Sequence, residues 1–193
     1  MIEALVVGIA VIVVVSVGIV LSYNRFVTQV ASIDATWAGI DTELQRRHDL
    51  VPNLVRSVQA YATHEQHTLR TVTEARSRAI AAVEPSVSVE DQARAEDALT
   101  AGLTGLLALS EAFPDLKADR VFRDLQRQLV ETEDRIAASR RLYNLEVAAY
   151  ERRRGSVPSN LIADAFGFAA RRPFEIQDPA AAHAPIVTSL PPI

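Results

Sequence analysis

An uncharged apolar run at the amino terminus constrains this chain most strongly. The run, "ALVVGIAVIVVVSVGIVLS", extends over residues 4–22. At about 1.5 Å of rise per residue, a helix of this length spans about 28 Å, close to the hydrocarbon thickness of a bilayer. A cleaved signal peptide normally has basic residues before a shorter apolar stretch, whereas here only Glu3 is charged. We therefore predict a transmembrane anchor over residues 1–22 that contacts membrane lipids through residues 4–22.

The arginines predict the orientation of this anchor. No lysine or arginine precedes the run, while Arg25, Arg46 and Arg47 follow it. Positively charged flanks remain on the cytoplasmic side of a membrane. We expect a single-pass protein with the bulk of its chain in the cytoplasm.

The composition excludes several chemistries. There is no cysteine, so disulfides, iron–sulfur clusters and thiol nucleophiles are excluded. The formal charge of −4 gives no global attraction for nucleic acid, and we expect no nucleic-acid partner.

Beyond the anchor, apolar residues recur every three or four positions, which predicts an all-α fold. The stripes extend over residues 26–44, 55–79, 99–113 and 122–150. Ser88 is a suitable cap for the third helix, and Gly155 is a suitable end for the fourth.

Pro52 and Pro114 decide the connectivity of these helices. A proline costs about 3 kcal/mol inside a helix but is harmless in a first turn. Since Asp49 and Asp115 are suitable N-caps, we expect each proline to mark a new helix. The result is an antiparallel up-down four-helix bundle over residues 23–157. The alternative is a hairpin of two long kinked helices that turns near Pro85.

Both arrangements return the end of the fourth helix to the membrane. A short helix and juxtamembrane segment are predicted over residues 158–176, followed by a disordered Pro/Ala-rich tail over residues 177–193. Basic residues in these segments are candidates for lipid contact. Alternatively, they complement the helix C-terminus while the nearby aromatics cover the base of the bundle. The candidate lipid-facing residues are Arg152, Arg153, Arg154, Arg171 and Arg172.

The stretch "YATHEQHTL" contains the best candidates for metal chemistry. A zincin helix needs histidines at i and i+4, but position 68 is threonine and the second histidine is His67, three residues after His64. No third ligand is indicated by spacing. We predict no metal, cofactor or catalytic residue, and retain a membrane-tethered metal-dependent enzyme using His64, His67 and Glu65 as an alternative.

Charged residues also lie on or near the apolar stripes. A lone buried charge is costly, so we expect these residues to meet across the bundle in a buried polar layer. Such a layer either fixes helix register or lines a functional pocket. The candidate residues are Glu65, Arg76, Glu133 and Arg140.

Eight stretches occur in the order typical of the LemA family. They are "SYNRFV", "IDTELQRRHDLVPNLV", "YATHEQHTL", "VTEAR", "AFPDLKAD", "LQRQLVETEDRIAASRRLYN", "VPSNLIADAFGF" and "PFE". Over residues 22–176 the chain therefore resembles LemA proteins. Asp134 stands where the family usually has Asn, Val157 replaces a common aromatic, and the segment after Lys117 lacks a usual Asn.

The resemblance implies a membrane-anchored helical bundle at the bacterial inner membrane, with no established enzymatic activity or cofactor. It favours the four-helix arrangement over the hairpin. LemA-like proteins are often encoded beside membrane metalloproteases, so the resemblance loosely implies an accessory role. We predict a non-enzymatic scaffold or adaptor with unidentified protein partners, of which a membrane metalloprotease is one candidate, or with itself as a homo-oligomer. A lipid-organising protein is a further alternative.

Overall fold

The computed structural model describes residues 1–84 and 86–175, and within them every regular element is a helix. The all-α prediction is therefore confirmed. The predicted disordered tail over residues 177–193 lies outside the described residues. The helices are α1 (Ile2–Gln59), α2 (Gln66–Ala81), α3 (Val89–Ser110), α4 (Pro114–Ala118), α5 (Arg120–Arg154) and α6 (Ser159–Ala165).

Helix α1 continues from the apolar run through Pro52 without interruption. The prediction of a new helix at Pro52 with Asp49 as its N-cap is therefore wrong. The reason is visible in the buried face of α1, whose spacing of three and four residues continues across the proline: burial of this face offsets the cost of one missing hydrogen bond. The face consists of Ile40, Leu44, Arg47, Val51, Leu54 and Val58.

The apolar amino-terminal part of α1 has the length and composition to cross a membrane, and its side chains are exposed. Beyond this part, the chain first reverses over residues 60–65, between α1 and α2.

The other helix ends follow local capping chemistry. Ser88 Oγ accepts a hydrogen bond from Asp91 N at 3.1 Å, which confirms the predicted start of α3. Pro114 lies in the first turn of the short helix α4, as expected for a proline that begins a helix. Asp119, rather than Asp115, caps the long helix α5 by accepting from Phe122 N at 2.8 Å. Gly155 ends α5 as predicted.

Helices α1 and α5 pack antiparallel beyond the apolar run. The rings of Trp37 and Tyr143 are 5.0 Å apart. Nearer the apolar run, at the end of the bundle that we call the membrane end, the rings of Phe26 and Tyr150 are 5.9 Å apart. Helices α2 and α3 form an antiparallel pair, and α2 also packs against α1. Gly102 lies at the contact between α2 and α3, where an added Cβ would be 3.4 Å from Val72, an ordinary van der Waals distance. The predicted antiparallel up-down four-helix bundle is not confirmed, since α2 and α3 are much shorter than α1 and α5.

The buried apolar residues form two clusters, one distal and one near the membrane end. The predicted stripes supply most of both. The distal core includes Val51, Leu54, Val58, Leu69, Val72, Leu99, Leu103, Leu106, Leu116, Phe122 and Leu129. The membrane-proximal core includes Phe26, Ile33, Ile40, Leu44, Ile136, Tyr143, Val147, Tyr150, Ile162 and Phe174.

Candidate functional site

A cluster of charged residues from α1, α3 and α5 is buried in the bundle. Arg47 and Glu96 are both 0% exposed, and they form an ion pair through Arg47 Nη2 and Glu96 Oε2. Arg47 Nη1 also donates to Glu133 Oε1 at 3.0 Å and to Thr100 Oγ1 at 3.1 Å. His48 Nε2 lies 2.9 Å from Glu96 Oε1. We call Arg47, His48, Glu96 and Glu133 the charge cluster.

Arg47 and Glu96 keep their ionised forms inside the protein. Burial alone would lower the pKa of Arg47, but the carboxylates of Glu133 and Glu96 raise it above its ordinary value. Burial alone would raise the pKa of Glu96. The hydrogen bond from His48 and the charge of Arg47 outweigh burial and hold this pKa below its ordinary value of 4.5. Both groups are therefore charged at neutral pH.

Pro52 connects this cluster to α2. Proline has no N–H, so it cannot donate to the carbonyl of His48 four residues earlier in α1. Arg76 Nε in α2 donates to that carbonyl oxygen at 2.7 Å. Pro52 leaves the carbonyl of His48 without its usual backbone donor, and the hydrogen bond from Arg76 to this carbonyl fastens α2 to α1.

The charge cluster differs from the predicted polar layer. Glu65 is exposed in the connection between α1 and α2, so its predicted burial is wrong. Glu133 is half-buried and belongs to the charge cluster, as its ion pair with Arg47 shows. Arg76 is half-buried and donates to the carbonyl of His48, and Arg140 is half-buried on α5. The fully buried members Arg47, His48 and Glu96 were missed.

A signal for the missed residues exists in the sequence. If the helix continues through Pro52, Arg47 lies on the buried face, three residues after Leu44 and four before Val51. Glu96 falls on the stripe that includes Leu99 and Leu103 in α3.

The predicted histidine candidates are not assembled into a metal site. His64 and His67 are both exposed at the start of the α2 region. Across the described residues, no group of three or more His, Asp or Glu side chains is placed to hold a metal ion.

The segment after α6 turns back along the bundle. Gly167 has a φ of 70°, which favours glycine, and the chain then ascends between α1 and α5. Tyr150 Oη donates to the carbonyl of Ala169 at 2.7 Å. Farther from the membrane end, Asn144 exchanges two hydrogen bonds with the backbone of Phe174, at 2.8 and 3.1 Å. The ring of Phe174 is buried against Trp37.

This ascent moves two of the predicted lipid-facing arginines away from the membrane end. Arg171 pairs with Asp34 at 3.4 Å, and Arg172 pairs with Glu90 at 3.1 Å. Asp34 lies twelve residues beyond Ser22 on α1, a rise of about 18 Å. The backbone bonds of residues 169–174 hold Arg171 and Arg172 higher on the bundle, and their contact with lipid stays a prediction.

Arg152, Arg153 and Arg154 remain at the membrane end. The guanidinium of Arg153 lies over the ring of Phe26, 5.7 Å from its centroid. Arg154 Nε donates to the carbonyl of Phe168 at 3.1 Å, and Phe168 stacks on Phe26 at 4.8 Å. The aromatics thus cover the base of the bundle, in agreement with the alternative interpretation.

Comparison with known proteins places the chain in a family. The sequence model of the LemA family matches residues 36–188, most of the chain. The chain belongs to the LemA family. The LemA match includes the charge cluster and all of the ascending segment, residues 169–174. Two residues that resemble family motif positions, Tyr143 and Asn144, hold that segment: Tyr143 Oη donates to the carbonyl of Arg172 at 2.9 Å.

Curated relatives of this LemA protein are magnetosome proteins. Magnetosome proteins MamQ 1 and MamQ 2 of Paramagnetospirillum magneticum are each 26% identical to it over 192 residues. MamQ of Magnetospirillum gryphiswaldense is 24% identical over the same length. Each alignment covers 88% of this chain and 70% of the relative.

Proposed function

We propose that this LemA protein is a non-enzymatic scaffold or adaptor, anchored in the bacterial inner membrane with its bundle in the cytoplasm. The observation that carries the proposal is the continuity of α1, a single helix of 58 residues that includes the apolar run and one side of both cores. A bundle built on such a helix is held in a fixed position relative to the membrane. This is the property that a platform for protein partners requires.

The internal chemistry supports a structural role for the most unusual residues. The charge cluster joins α1, α3 and α5, and Arg47 and Glu96 have no exposed surface with which to meet a substrate. Buried polar groups of this kind can fix the register of packed helices. The names of the MamQ relatives, which are magnetosome proteins, support a role in an assembly at a membrane.

Site-specific photocrosslinking in intact membranes tests the proposal. A photoreactive residue replaces Glu74 in α2, Thr104 in α3 or Val130 in α5, each of them exposed and on a different helix. We expect discrete adducts with one or a few proteins, or with a second copy of the chain, from one face only. The remaining positions then serve as matched controls. Equal, non-specific adducts from all three positions would contradict a scaffold.

A metal measurement separates the enzyme alternative. Purified full-length protein that holds stoichiometric transition metal, and loses it on His64→Ala, would replace the scaffold proposal with a metal-dependent enzyme. We expect equal, substoichiometric metal in both proteins, because no third ligand lies near His64 in the described chain.

A further inference from the structure

The membrane end of the bundle has a surface that the scaffold proposal does not use. It combines cations from two helices, of which Arg25 and Arg152 are exposed and Arg153 is half-buried, with exposed apolar side chains in and beside α6. We call it the basal surface, and it consists of Arg25, Arg152, Arg153, Val157, Leu161 and Phe166.

The position of the basal surface along α1 is fixed by aromatic contacts. Tyr23 is the first residue after the apolar run, and its ring is 5.0 Å from the ring of Phe166. Arg153 lies over Phe26, one helical turn farther along α1. The basal surface therefore begins at the level where the hydrocarbon-spanning part of α1 ends, the depth at which lipid headgroups lie.

The cations of the basal surface have no acidic partners in the part of the chain that the structure describes. Among the described residues, Arg25, Arg152 and Arg153 make no ion pair, whereas Arg171 and Arg172 each have one. Burial lowers the pKa of Arg153, and the nearby charge of Arg25 lowers it further. Asp164, the one acidic residue of α6, is exposed and unpaired in the described chain. Its single negative charge is outweighed by the three arginines, so this end of the bundle has an excess of positive charge.

The apolar members of the basal surface are exposed although their neighbours are buried. Val157, Leu161 and Phe166 are 79%, 64% and 54% exposed. By contrast, Ile162, the neighbour of Leu161 in α6, packs in the membrane-proximal core. Apolar and aromatic side chains beside arginines are the composition that favours the interface of an anionic bilayer.

We propose that the basal surface binds the anionic phospholipid headgroups of the bilayer that α1 crosses. Arg25, Arg152 and Arg153 contact lipid phosphates, while Leu161 and Phe166 enter the interface beside them. Lipid is the occupant because α1 enters the membrane directly next to this surface, and because unpaired guanidinium groups complement phosphate. The bundle is thereby supported on the membrane at a second place besides α1, which goes beyond the scaffold proposal.

Spin labelling of the full-length protein tests this contact. The sequence has no cysteine, so Leu161→Cys gives a single labelling site, and Val130→Cys, 59% exposed on α5, gives a matched control. The proteins are reconstituted in nanodiscs of phosphatidylcholine, with or without phosphatidylglycerol. Collisions of the label with oxygen and with a water-soluble nickel chelate report its depth.

We expect severalfold less nickel access at position 161 than at position 130, with a further decrease when phosphatidylglycerol is present. Arg25→Gln with Arg153→Gln should remove the effect of phosphatidylglycerol, and Lys at both positions should restore it. The matched pair Arg171→Gln with Arg172→Gln should leave it unchanged.

Two results would overturn the proposal. One is equal nickel access at positions 161 and 130 in both nanodiscs. The other is shielding of position 161 that is the same with and without phosphatidylglycerol, which would indicate a protein contact. Arg25→Gln with Arg152→Gln, both at exposed positions, repeats the test if loss of Arg153 prevents folding.

Discussion

At the scale of single residues, the charge cluster separates the distal core from the membrane-proximal core. Glu96 binds both Arg47 and His48, and Arg47 reaches Glu133 on α5. Hydrophobic faces alone can slide by a turn, whereas a buried ion pair is satisfied in one register only. We infer that the charge cluster fixes how α1, α3 and α5 align.

Removing the buried carboxylate should be costly. Glu96→Ala leaves the guanidinium of Arg47 and the ring of His48 buried without this partner, and we expect it to lower the free energy of unfolding by about 3–5 kcal/mol. Denaturant unfolding of the full-length protein in detergent, followed by circular dichroism, measures this loss. Glu131→Ala, at an exposed position on α5, is the control and should change stability by less than about 0.5 kcal/mol. Similar small losses for both variants would contradict a structural role for Glu96.

The same carboxylate should make stability depend on acid. Its pKa lies below the ordinary value of 4.5, so its contribution is complete above that value and is lost as the pH falls through the folded-state pKa. Glu96→Gln should therefore be less stable than the natural protein at pH 7, and the difference should shrink on acidification below about pH 4.5. Unfolding titrations between neutral and acidic pH measure it.

Asp41 gives the opposite control for this titration. Burial raises the pKa of Asp41 above 3.8, so its charged form disfavours the fold at neutral pH. Asp41→Asn should stabilise the protein at pH 7, and this gain should shrink on acidification.

A difference between Glu96→Gln and the natural protein that does not depend on pH would exclude Glu96 as the titrating group.

The sequence predicts which residues are apolar and buried better than which charges are buried. The stripe members Phe26, Leu99 and Tyr150 are buried as expected. Glu65 is not, because its placement on a stripe assumed a helix that begins at Pro52. Once α1 is extended to Gln59, Glu65 falls in the connection and Arg47 falls on the buried face.

At the scale of helices, the hydrogen bond from Arg76 to the carbonyl of His48 replaces the one that Pro52 cannot make, which explains how α1 tolerates a proline. The carbonyl of His48 accepts from the side chain of Arg76 instead of a backbone N–H. The proline therefore contributes an acceptor that α2 uses for docking. A continuous helix with a proline is stable here because a neighbouring helix satisfies the freed group.

A double-mutant cycle tests this exchange. Arg76→Met removes the donor but keeps the length of the side chain, and we expect it to cost about 1–3 kcal/mol because the His48 carbonyl loses its partner. In the Pro52→Ala background, the introduced alanine supplies the missing backbone N–H, so the same change should cost less. Denaturant unfolding of the four proteins measures both costs. Equal costs in the two backgrounds would show that Arg76 acts independently of Pro52.

Local chemistry predicts some helix ends and misses others. Ser88 caps α3 with its own side chain, so the start of this helix is readable from the sequence. Gly155 ends α5, and the low helix propensity of glycine makes this end readable as well. The reversal over residues 60–65 contains neither proline nor glycine. Its position is set by tertiary packing: Ala62 is buried in the distal core, and α2 docks on α1 through Arg76.

At the scale of the whole molecule, α1 joins the apolar run to the distal end of the bundle. The residues of α1 beyond the apolar run would extend about 55 Å from the bilayer. Helix α5 returns along α1 to the membrane end, and residues 169–174 fasten the chain to both helices. The account of this LemA protein as a scaffold depends on α1 remaining one helix.

The distance between spin labels at Asn24→Cys and Gln59→Cys tests that claim most directly. Both positions are exposed near the ends of this part of α1, and the measurement uses the full-length protein in lipid nanodiscs. A continuous helix predicts a narrow distribution centred near about 52 Å. A reversal at Pro52 would bring residue 59 back beside α1 and give about 33 Å, which would contradict the account.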